Sequence, residues 1–217
     1  GIEIEPLLLG DQTIALYGAE GTGQGIMLIA GTGSVCCGRR VLEDGTVLNG
    51  RSGGWGHLID DEGSGYAIGR DVLSAVVRSE DGRTARSVMW TEVKKQLGIE
   101  TIPELIRFVY GPETGKKEIA ALAPIVMKGV ENGEEPAFDI LRKAAVNLAD
   151  IVIAVSEQLD MPKGQVSIGG SVLVKNVLLQ TFLQKELKRR SPGLVLGMPK
   201  YDAAQGAVIA CMESLRK

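Results

Sequence analysis

A short apolar run stops abruptly on glycine in IMLIAGTGSVCCGRR, residues 26 to 40, and this feature limits the folds open to the chain. The run Ile26 to Ala30 predicts a buried strand, and Val35 to Arg40 predicts a second strand directly after Gly-Thr-Gly-Ser. Such a glycine turn lets backbone N–H groups converge on an anion, although a plain tight hairpin is an equally good interpretation. It is not a P-loop, because no Gly-Lys-Ser/Thr follows and a strand rather than a helix comes next.

Strand and helix patterns alternate along the rest of the chain. Thr46 to Gly50 predicts a third strand, and residues from about 63 to 159 are nearly all helical in period. The last third predicts a strand in QVSIGG, a helix over 174–190, a strand in LVLGMP and a helix over 202–215. This order favours one α/β domain with a mixed sheet flanked by helices and a helical insertion.

Composition excludes several classes of partner. The net charge is −3 and no basic face is clustered, so the sequence predicts no nucleic-acid partner. No apolar run reaches the length of a membrane span, which predicts no membrane partner. The three cysteines, Cys36, Cys37 and Cys211, form no metal-ligand spacing, and their odd number favours a reducing, cytoplasmic location.

A second glycine-rich stretch, GGWGHLIDDEGSGYAIG from 53 to 69, combines an aromatic residue with three consecutive acids. Carboxylates accept hydroxyl protons and Trp55 can pack on a ring, so these residues are ingredients of a sugar site. The structural roles left open are a satisfied His57 and a helix N-terminal charge at Glu62. IGGSV, 168 to 172, permits close approach of a planar ligand, but plain packing is the favoured interpretation of that motif alone.

Four motifs in one order, LIAGTGS, GGWGHLIDDEGS, SIGGSV and DAAQGAVIA, resemble the BadF/BadG/BcrA/BcrD-type ATPase and N-acetylglucosamine kinase family over nearly the whole chain. This family belongs to the superfamily of sugar kinases, heat-shock-70 proteins and actin. The resemblance implies a ribonuclease H-like (actin-like ATPase) α/β fold. Residues 1–217 resemble the C-terminal domain, with the helical insertion at about 63–159. The family's N-terminal ATPase domain, with its Asp-Gly-Gly-Gly-Thr hairpin, is expected to be absent from this chain.

The resemblance implies a phosphotransferase that moves the γ-phosphoryl group of ATP to a hydroxyl of N-acetylglucosamine or a related amino sugar. Asp11 lies 21 positions before Thr32 and resembles the general base of the kinases. Asp11 is also a candidate N-cap for a short helix over Thr13 to Gly18. ATP and Mg²⁺ are the implied cofactors, with Mg²⁺ held by phosphates, water and a carboxylate rather than by a protein metal cluster. The isolated domain is expected to be inactive.

The resemblance also assigns binding residues along one side of a cleft between two domains. Phosphate contacts are expected from Gly31, Thr32 and Gly33, and adenosine contacts from Gly169, Gly170, Ser171 and Asn176. Sugar contacts are expected from Ser34, Val35, Gly54, Trp55, Gly56 and Asp61. Val35 and Asp60 stand where the family often has Asn and Gly, which leaves the identity of the sugar open.

Two other functions stay open at this point. One is an ATPase that activates an acyl-CoA reductase or dehydratase, which needs cluster-binding cysteines that the sequence does not offer in an obvious set. The other is a sugar- or nucleotide-sensing module without catalysis. The expected partners are a small sugar, the missing N-terminal domain and, through the small-residue final helix, a second copy of the chain.

Overall fold

The computed structural model describes residues 10–215, with the backbone alone at Asp11 and Gln12. Within this range a five-stranded sheet has the order β3-β2-β1-β4-β5. The strands are β1 Gly25–Ala30, β2 Ser34–Val41, β3 Val47–Gly53, β4 Lys163–Gly169 and β5 Gly193–Gly197. The β1–β2 and β2–β3 pairs are antiparallel, whereas β1–β4 and β4–β5 are parallel. The sheet is therefore mixed, as the alternation of strand and helix patterns predicts.

The α-helices of the described residues are α1 Asp11–Glu20, α2 Gly65–Glu80, α3 Val88–Leu97, α4 Ile102–Val109, α5 Lys116–Ala120, α6 Val126–Glu131, α7 Glu135–Gln158, α8 Ser171–Lys175, α9 Val177–Arg190 and α10 Ala203–Ser214. Six of them, α2 to α7, lie between β3 and β4 in the chain. A 3₁₀ turn, Ala123–Ile125, connects α5 to α6. None of the helices within the described range is both long and apolar enough to cross a membrane.

Two helix boundaries differ from the sequence prediction. The first helix begins at Asp11 and its N-cap is Gly10, so the prediction of Asp11 as an N-cap before Thr13 is wrong. The helix predicted over 174–190 is two helices, because Asn176 leaves the helical conformation. The Asn176 side chain instead accepts a hydrogen bond from the Leu179 N–H and caps α9.

Both faces of the sheet are covered, since successive residues of a strand point to opposite faces. Ile26 and Leu28 of β1 belong to the large core formed with the helical block and α9. Met27, between them, packs with Leu16 and Ala19 of α1 on the other face. This double burial explains why β1 is continuously apolar rather than alternating.

Glycines bring pairs of helices into backbone contact. A Cβ atom at Gly206 of α10 would lie 2.5 Å from the Ile14 carbonyl oxygen of α1, and one at Gly18 would lie 2.7 Å from the Asp202 carbonyl oxygen. In α2, a Cβ atom at Gly69 would overlap the carbonyl oxygen of Ile119 in α5. The absence of a side chain at Gly69 therefore lets α5 lie directly against α2.

We expect Gly69→Ala to destabilise the protein by about 1–3 kcal/mol, because the added methyl group meets rigid backbone and forces α5 away from α2. Urea denaturation followed by circular dichroism measures the change. Ser74→Ala on the exposed side of the same helix is the matched control and should change stability by less than about 0.5 kcal/mol. Equal denaturation midpoints for wild type and Gly69→Ala would contradict the packing described here.

Candidate functional site

Three predicted motifs meet at one edge of the sheet. Because β1 and β4 are parallel, with Ile29 opposite Gly169, the Gly-Thr-Gly-Ser and Gly-Gly-Ser turns leave the sheet at the same edge. β3 runs in the direction of β1 after two antiparallel steps, and its last residue, Gly53, pairs with Val35. The tryptophan-containing loop therefore starts beside the Gly-Thr-Gly-Ser loop, and the topology brings the candidate phosphate, base and sugar segments together.

The Gly-Thr-Gly-Ser loop is tied to the start of α2. The Gly31 carbonyl oxygen accepts a hydrogen bond from the Gly65 N–H at 2.7 Å, and the Thr32 carbonyl oxygen accepts one from the Tyr66 N–H at 3.3 Å. The positive end of the α2 dipole consequently lies behind the loop. Over residues 10–215, no acceptor takes the N–H of Thr32 or Gly33, so these two donors are left for a ligand or water. The loop has the chemistry of an anion site.

Asp61 joins this loop to the helical block. The whole residue is 2% exposed; Oδ1 accepts the Ser34 N–H at 3.2 Å and Oδ2 lies 2.6 Å from Nζ of Lys116. A Cβ atom at Gly33 would lie 2.7 Å from that Nζ and 2.9 Å from Oδ1, so a larger residue there would require the lysine or the carboxylate to move. Asp61 also adopts a left-handed backbone conformation, with φ of 63°.

The hydroxyl of Ser34 is used within the site itself. Its Oγ donates to the Glu62 carbonyl oxygen at 2.8 Å, and the residue is buried. Contact of Ser34 and Asp61 with a sugar stays a prediction, because in this structure both side chains are engaged by neighbouring protein groups.

The Gly-Gly-Ser turn lies against the end of β1. Gly170 has φ of 83°, and a Cβ atom there would overlap the Ala30 carbonyl group, so this turn requires glycine. Ser171 is exposed at the mouth of a cavity of about 260 Å³. The cavity wall is mainly apolar and includes Ile68, Ala123, Pro124, Met127, Val172 and Asn176.

Asn176 contributes less to this cavity than its polar character indicates. Its Oδ1 caps α9 at 2.9 Å from the Leu179 nitrogen, and its Nδ2 lies 3.4 Å from the Met127 sulfur atom. The amide group is therefore oriented by the protein, and what remains for a ligand is an N–H donor.

The tryptophan loop is shaped by left-handed residues. Gly53, Gly54 and Gly56 all have positive φ, which accounts for the glycines around Trp55 by backbone conformation. The Trp55 N–H donates to Asp60 Oδ2 at 3.0 Å, and the guanidinium of Arg51 lies 4.6 Å from the centre of the Trp55 rings. The tryptophan is 65% exposed, so its ring keeps a free apolar surface beside the glycine wall.

Glu62 and His57, in the same segment, both contact other side chains of the protein. Glu62 lies before Ser64, the N-cap of α2, and its carboxylate pairs with Arg70 at 3.2 Å. Glu62 therefore also has a partner within α2, and its role as a helix N-terminal charge stays a prediction. The His57 ring contacts Tyr66 edge-on, with 4.6 Å between ring centres.

Asp11 is the predicted residue about which the structure says least. Its backbone starts α1, which packs on the sheet through Leu16 and Ala19, and its side chain lies outside the described part of the chain. Its role as a general base therefore stays a prediction.

Comparison with known proteins identifies the family. Residues 7–210 match the model of the BadF/BadG/BcrA/BcrD ATPase family. The chain belongs to this family. The resemblance inferred from the four motifs is thereby confirmed.

Members with curated names include two kinases. The chain is 36% identical to the N-acetylmuramic acid/N-acetylglucosamine kinase of Clostridium acetobutylicum over 94% of its length and 66% of that protein. It is 30% identical to the N-acetyl-D-glucosamine kinase of Dictyostelium discoideum, over 99% of this chain and 67% of that protein. The chain thus spans about two thirds of the length of these relatives.

A solved structure supports the fold. The candidate N-acetylglucosamine kinase from Chromobacterium violaceum superposes with a TM-score of 0.69 at 26% identity, over 92% of this chain and 63% of that one. The mixed sheet and its flanking helices are therefore the actin-like ATPase fold, and the predicted fold class is confirmed.

Sequence reasoning missed two cationic residues at the candidate site. Lys116 lies 55 positions from Asp61, within a helical block that carries no glycine motif of its own. Arg51 is on β3 and donates to the Gly54 carbonyl oxygen at 3.1 Å. A lysine at a helix start and an arginine on a strand are common surface features, so neither gave a usable signal.

The cysteines beside the loop are not reactive thiolates. Burial raises the pKa of Cys36 well above its ordinary value, and burial raises the pKa of Cys37 from 9.0 to about 11, opposed in part by the charge of Arg51. Cys211 is exposed. No group of three His, Cys, Asp or Glu side chains within the described residues is arranged to hold a metal ion.

We expect one fast-reacting thiol with Ellman's reagent at pH 8, that of Cys211, and reaction of Cys36 and Cys37 only on unfolding. The raised pKa of Cys37, about 11 instead of 9.0, lowers its thiolate fraction at pH 8 about 100-fold, and burial blocks access to both thiols. Cys211→Ser should remove the fast phase; two or more fast thiols in wild type would contradict the burial of this pair.

The raised pKa of the Cys37 thiol also predicts how the stability of the protein changes with pH. The folded-state pKa of Cys37 is raised, so folding favours the neutral thiol. This contribution to the free energy of unfolding is complete below about pH 9 and is lost as the pH rises towards about 11. Denaturation in urea from pH 8 to 11 should show a smaller loss of stability in Cys37→Ala, relative to its own value at pH 8, than in wild type.

Proposed function

We propose that the chain forms the nucleotide-binding side, and one wall of the acceptor pocket, of an ATP-dependent kinase for N-acetylglucosamine or a related amino sugar. The observation that carries this proposal is the meeting of the Gly-Thr-Gly-Ser loop, the Gly-Gly-Ser turn and Asp61 at one sheet edge beside an apolar cavity. The names of the two curated relatives support the choice of substrate.

The nucleotide fits this edge in two parts. The apolar cavity of about 260 Å³ lies just below the range of about 300–1,000 Å³ typical of pockets for drug-sized ligands, which suits a base with its ribose rather than a whole nucleotide. The phosphates would then extend over Thr32 and Gly33, where the two free N–H groups and the exposed Thr32 hydroxyl act as donors. Mg²⁺ would be held mainly by the phosphates and its water ligands, as a hard cation that is reluctant to lose them.

The acceptor sugar would occupy the side of the loop that faces β3. Trp55 offers its exposed ring, while Gly54 and Gly56 provide a backbone wall next to Val35. A hydroxyl would reach Asp61 only by sharing or displacing the Lys116 ammonium, since Oδ1 is already bound to the loop.

Asp11 would act as the base in the chemical step. Its carboxylate takes the proton of the attacking sugar hydroxyl while the new oxygen–phosphorus bond forms and the bond between the γ-phosphorus and the bridging oxygen breaks, releasing ADP. In this proposal the family's N-terminal ATPase domain supplies the opposite wall of the cleft, and the 217 residues alone bind ligands without turnover. A cytoplasmic location and a homodimer through α10 stay predictions.

The cysteines make the alternative function, an activator of an acyl-CoA reductase or dehydratase, a weaker proposal than the kinase. Cys36 and Cys37 are buried in β2 with raised pKa values, whereas cluster ligands must be thiolates. This leaves the exposed Cys211 as the candidate ligand among the cysteines.

The first test is ADP release across a panel of hexoses and amino sugars, with this chain and with any longer polypeptide that its gene encodes. We expect ADP release that depends on N-acetylglucosamine or a close relative from a polypeptide that includes the N-terminal domain, and no ADP release from this chain alone. Asp11→Asn should abolish turnover and leave sugar binding measurable, while Glu43→Gln, an exposed acid in the β2–β3 turn, should leave both unchanged. Full turnover in Asp11→Asn would reject the base, and sugar-independent ATP hydrolysis would reject the kinase.

A second variant tests the acceptor wall. Trp55→Ala should raise the KM for the sugar about tenfold, equivalent to about 1.4 kcal/mol, with little change in the KM for ATP, because the aromatic face packs only on the acceptor. Leu58→Ala is the control, since Leu58 lies in the same loop and is 84% exposed. Equal sugar KM values for wild type and Trp55→Ala would place the acceptor elsewhere.

A further inference from the structure

Lys116 is one of the two cationic side chains at this edge that the motifs did not reveal, and it is the one that lies beside the Gly-Thr-Gly-Ser loop. Its ammonium lies 2.6 Å from Asp61 Oδ2 and close above Gly33, on the loop proposed to hold phosphates. The two partners differ in exposure: the Asp61 side chain is 3% exposed, whereas that of Lys116 is 30% exposed. A ligand that approaches the loop from solvent therefore meets the ammonium rather than the carboxylate.

The protein positions this ammonium through backbone packing. Gly69 has no side chain, so α5 lies against α2, and Lys116 begins α5 at a fixed distance from the loop. Ala120 is four residues further along the same helix and lines the apolar cavity. Four residues advance an α-helix by about 6 Å, so α5 connects the cavity to the loop along the path of a nucleotide.

Asp61 is suited to hold the lysine but poorly placed to bind a ligand itself. Both of its oxygens are engaged, by the Ser34 N–H and by Lys116, and the residue is buried. An ammonium group has three donors, so Lys116 can keep its bond to Asp61 and still donate to a second anion.

We propose that Lys116 is a ligand of the nucleotide's terminal phosphates and that Asp61 is the positioning residue that aims it. This inference rests on the proposed function, since it needs a polyphosphate on the Gly-Thr-Gly-Ser loop. The competing explanation is that Lys116 only neutralises Asp61, a structural ion pair without a ligand.

Calorimetric titration of the 217-residue chain with ATP, ADP and AMP separates these explanations. Lys116→Met should weaken ATP and ADP binding at least tenfold and AMP binding less than twofold, because AMP lacks the terminal phosphates. Lys116→Arg should recover most of the affinity. Lys117→Met, at the exposed neighbouring lysine, is the matched control and should bind all three nucleotides like wild type.

The buried carboxylate requires a second variant, since Lys116→Met leaves Asp61 without its partner. The double variant Asp61→Asn/Lys116→Met removes both charges, and circular dichroism should show that it is folded. Its binding should repeat the selective loss of ATP and ADP. Inorganic pyrophosphate should compete with ADP in wild type and lose this competition in the double variant.

The outcomes distinguish this inference from the proposed function. Unchanged ATP and ADP binding in the folded double variant, or equal losses for all three nucleotides, would overturn the role of Lys116 and leave the kinase proposal in place. Failure of the wild-type chain to bind any of the three nucleotides would overturn both proposals.

Discussion

Because β1 and β4 pair in parallel, two turns that are 138 positions apart, at Gly31 and Gly169, leave the sheet side by side. The pairing also fixes their contact, since the Gly170 backbone approaches Ala30 so closely that no side chain fits. Parallel strands need a long crossover, and in this chain the helical block from α2 to α7 supplies it. The architecture that separates the two turns in sequence is thus the one that joins them in space.

The helical block does more than connect the strands. α2 starts at the Gly-Thr-Gly-Ser loop and donates its first N–H groups to the loop carbonyl oxygens. Those hydrogen bonds use up the donors that would otherwise attract an anion to the helix end, so the loop rather than the helix presents N–H groups to a ligand. Because Gly65 and Gly69 have no side chains, neighbouring segments, including α5, lie directly against the backbone of α2.

The sequence predicted the sheet well because its signals are local. Short apolar runs and glycine turns located all five strands to within a few residues, and the turn motifs followed from the same glycines. The prediction that Asn176 lies within a helix was wrong because its side-chain oxygen accepts a hydrogen bond from the Leu179 N–H. Periodicity does not reveal this capping contact. The pairing of Lys116 with Asp61 could not be predicted from the sequence for a different reason, because it depends on how closely α5 packs on α2.

The contacts of Asp60 and Val35 explain why these two residues differ from the family pattern. Asp60, where glycine is frequent, accepts the Trp55 N–H and so holds the aromatic residue in its turn. Val35 lies within contact distance of any Cβ at Gly54, so an apolar side chain fills the space next to the glycine wall. Both residues shape the loop instead of offering a polar group to a ligand. Under the proposed function, discrimination among sugars at this wall would depend on the fit of an apolar surface and the Trp55 ring.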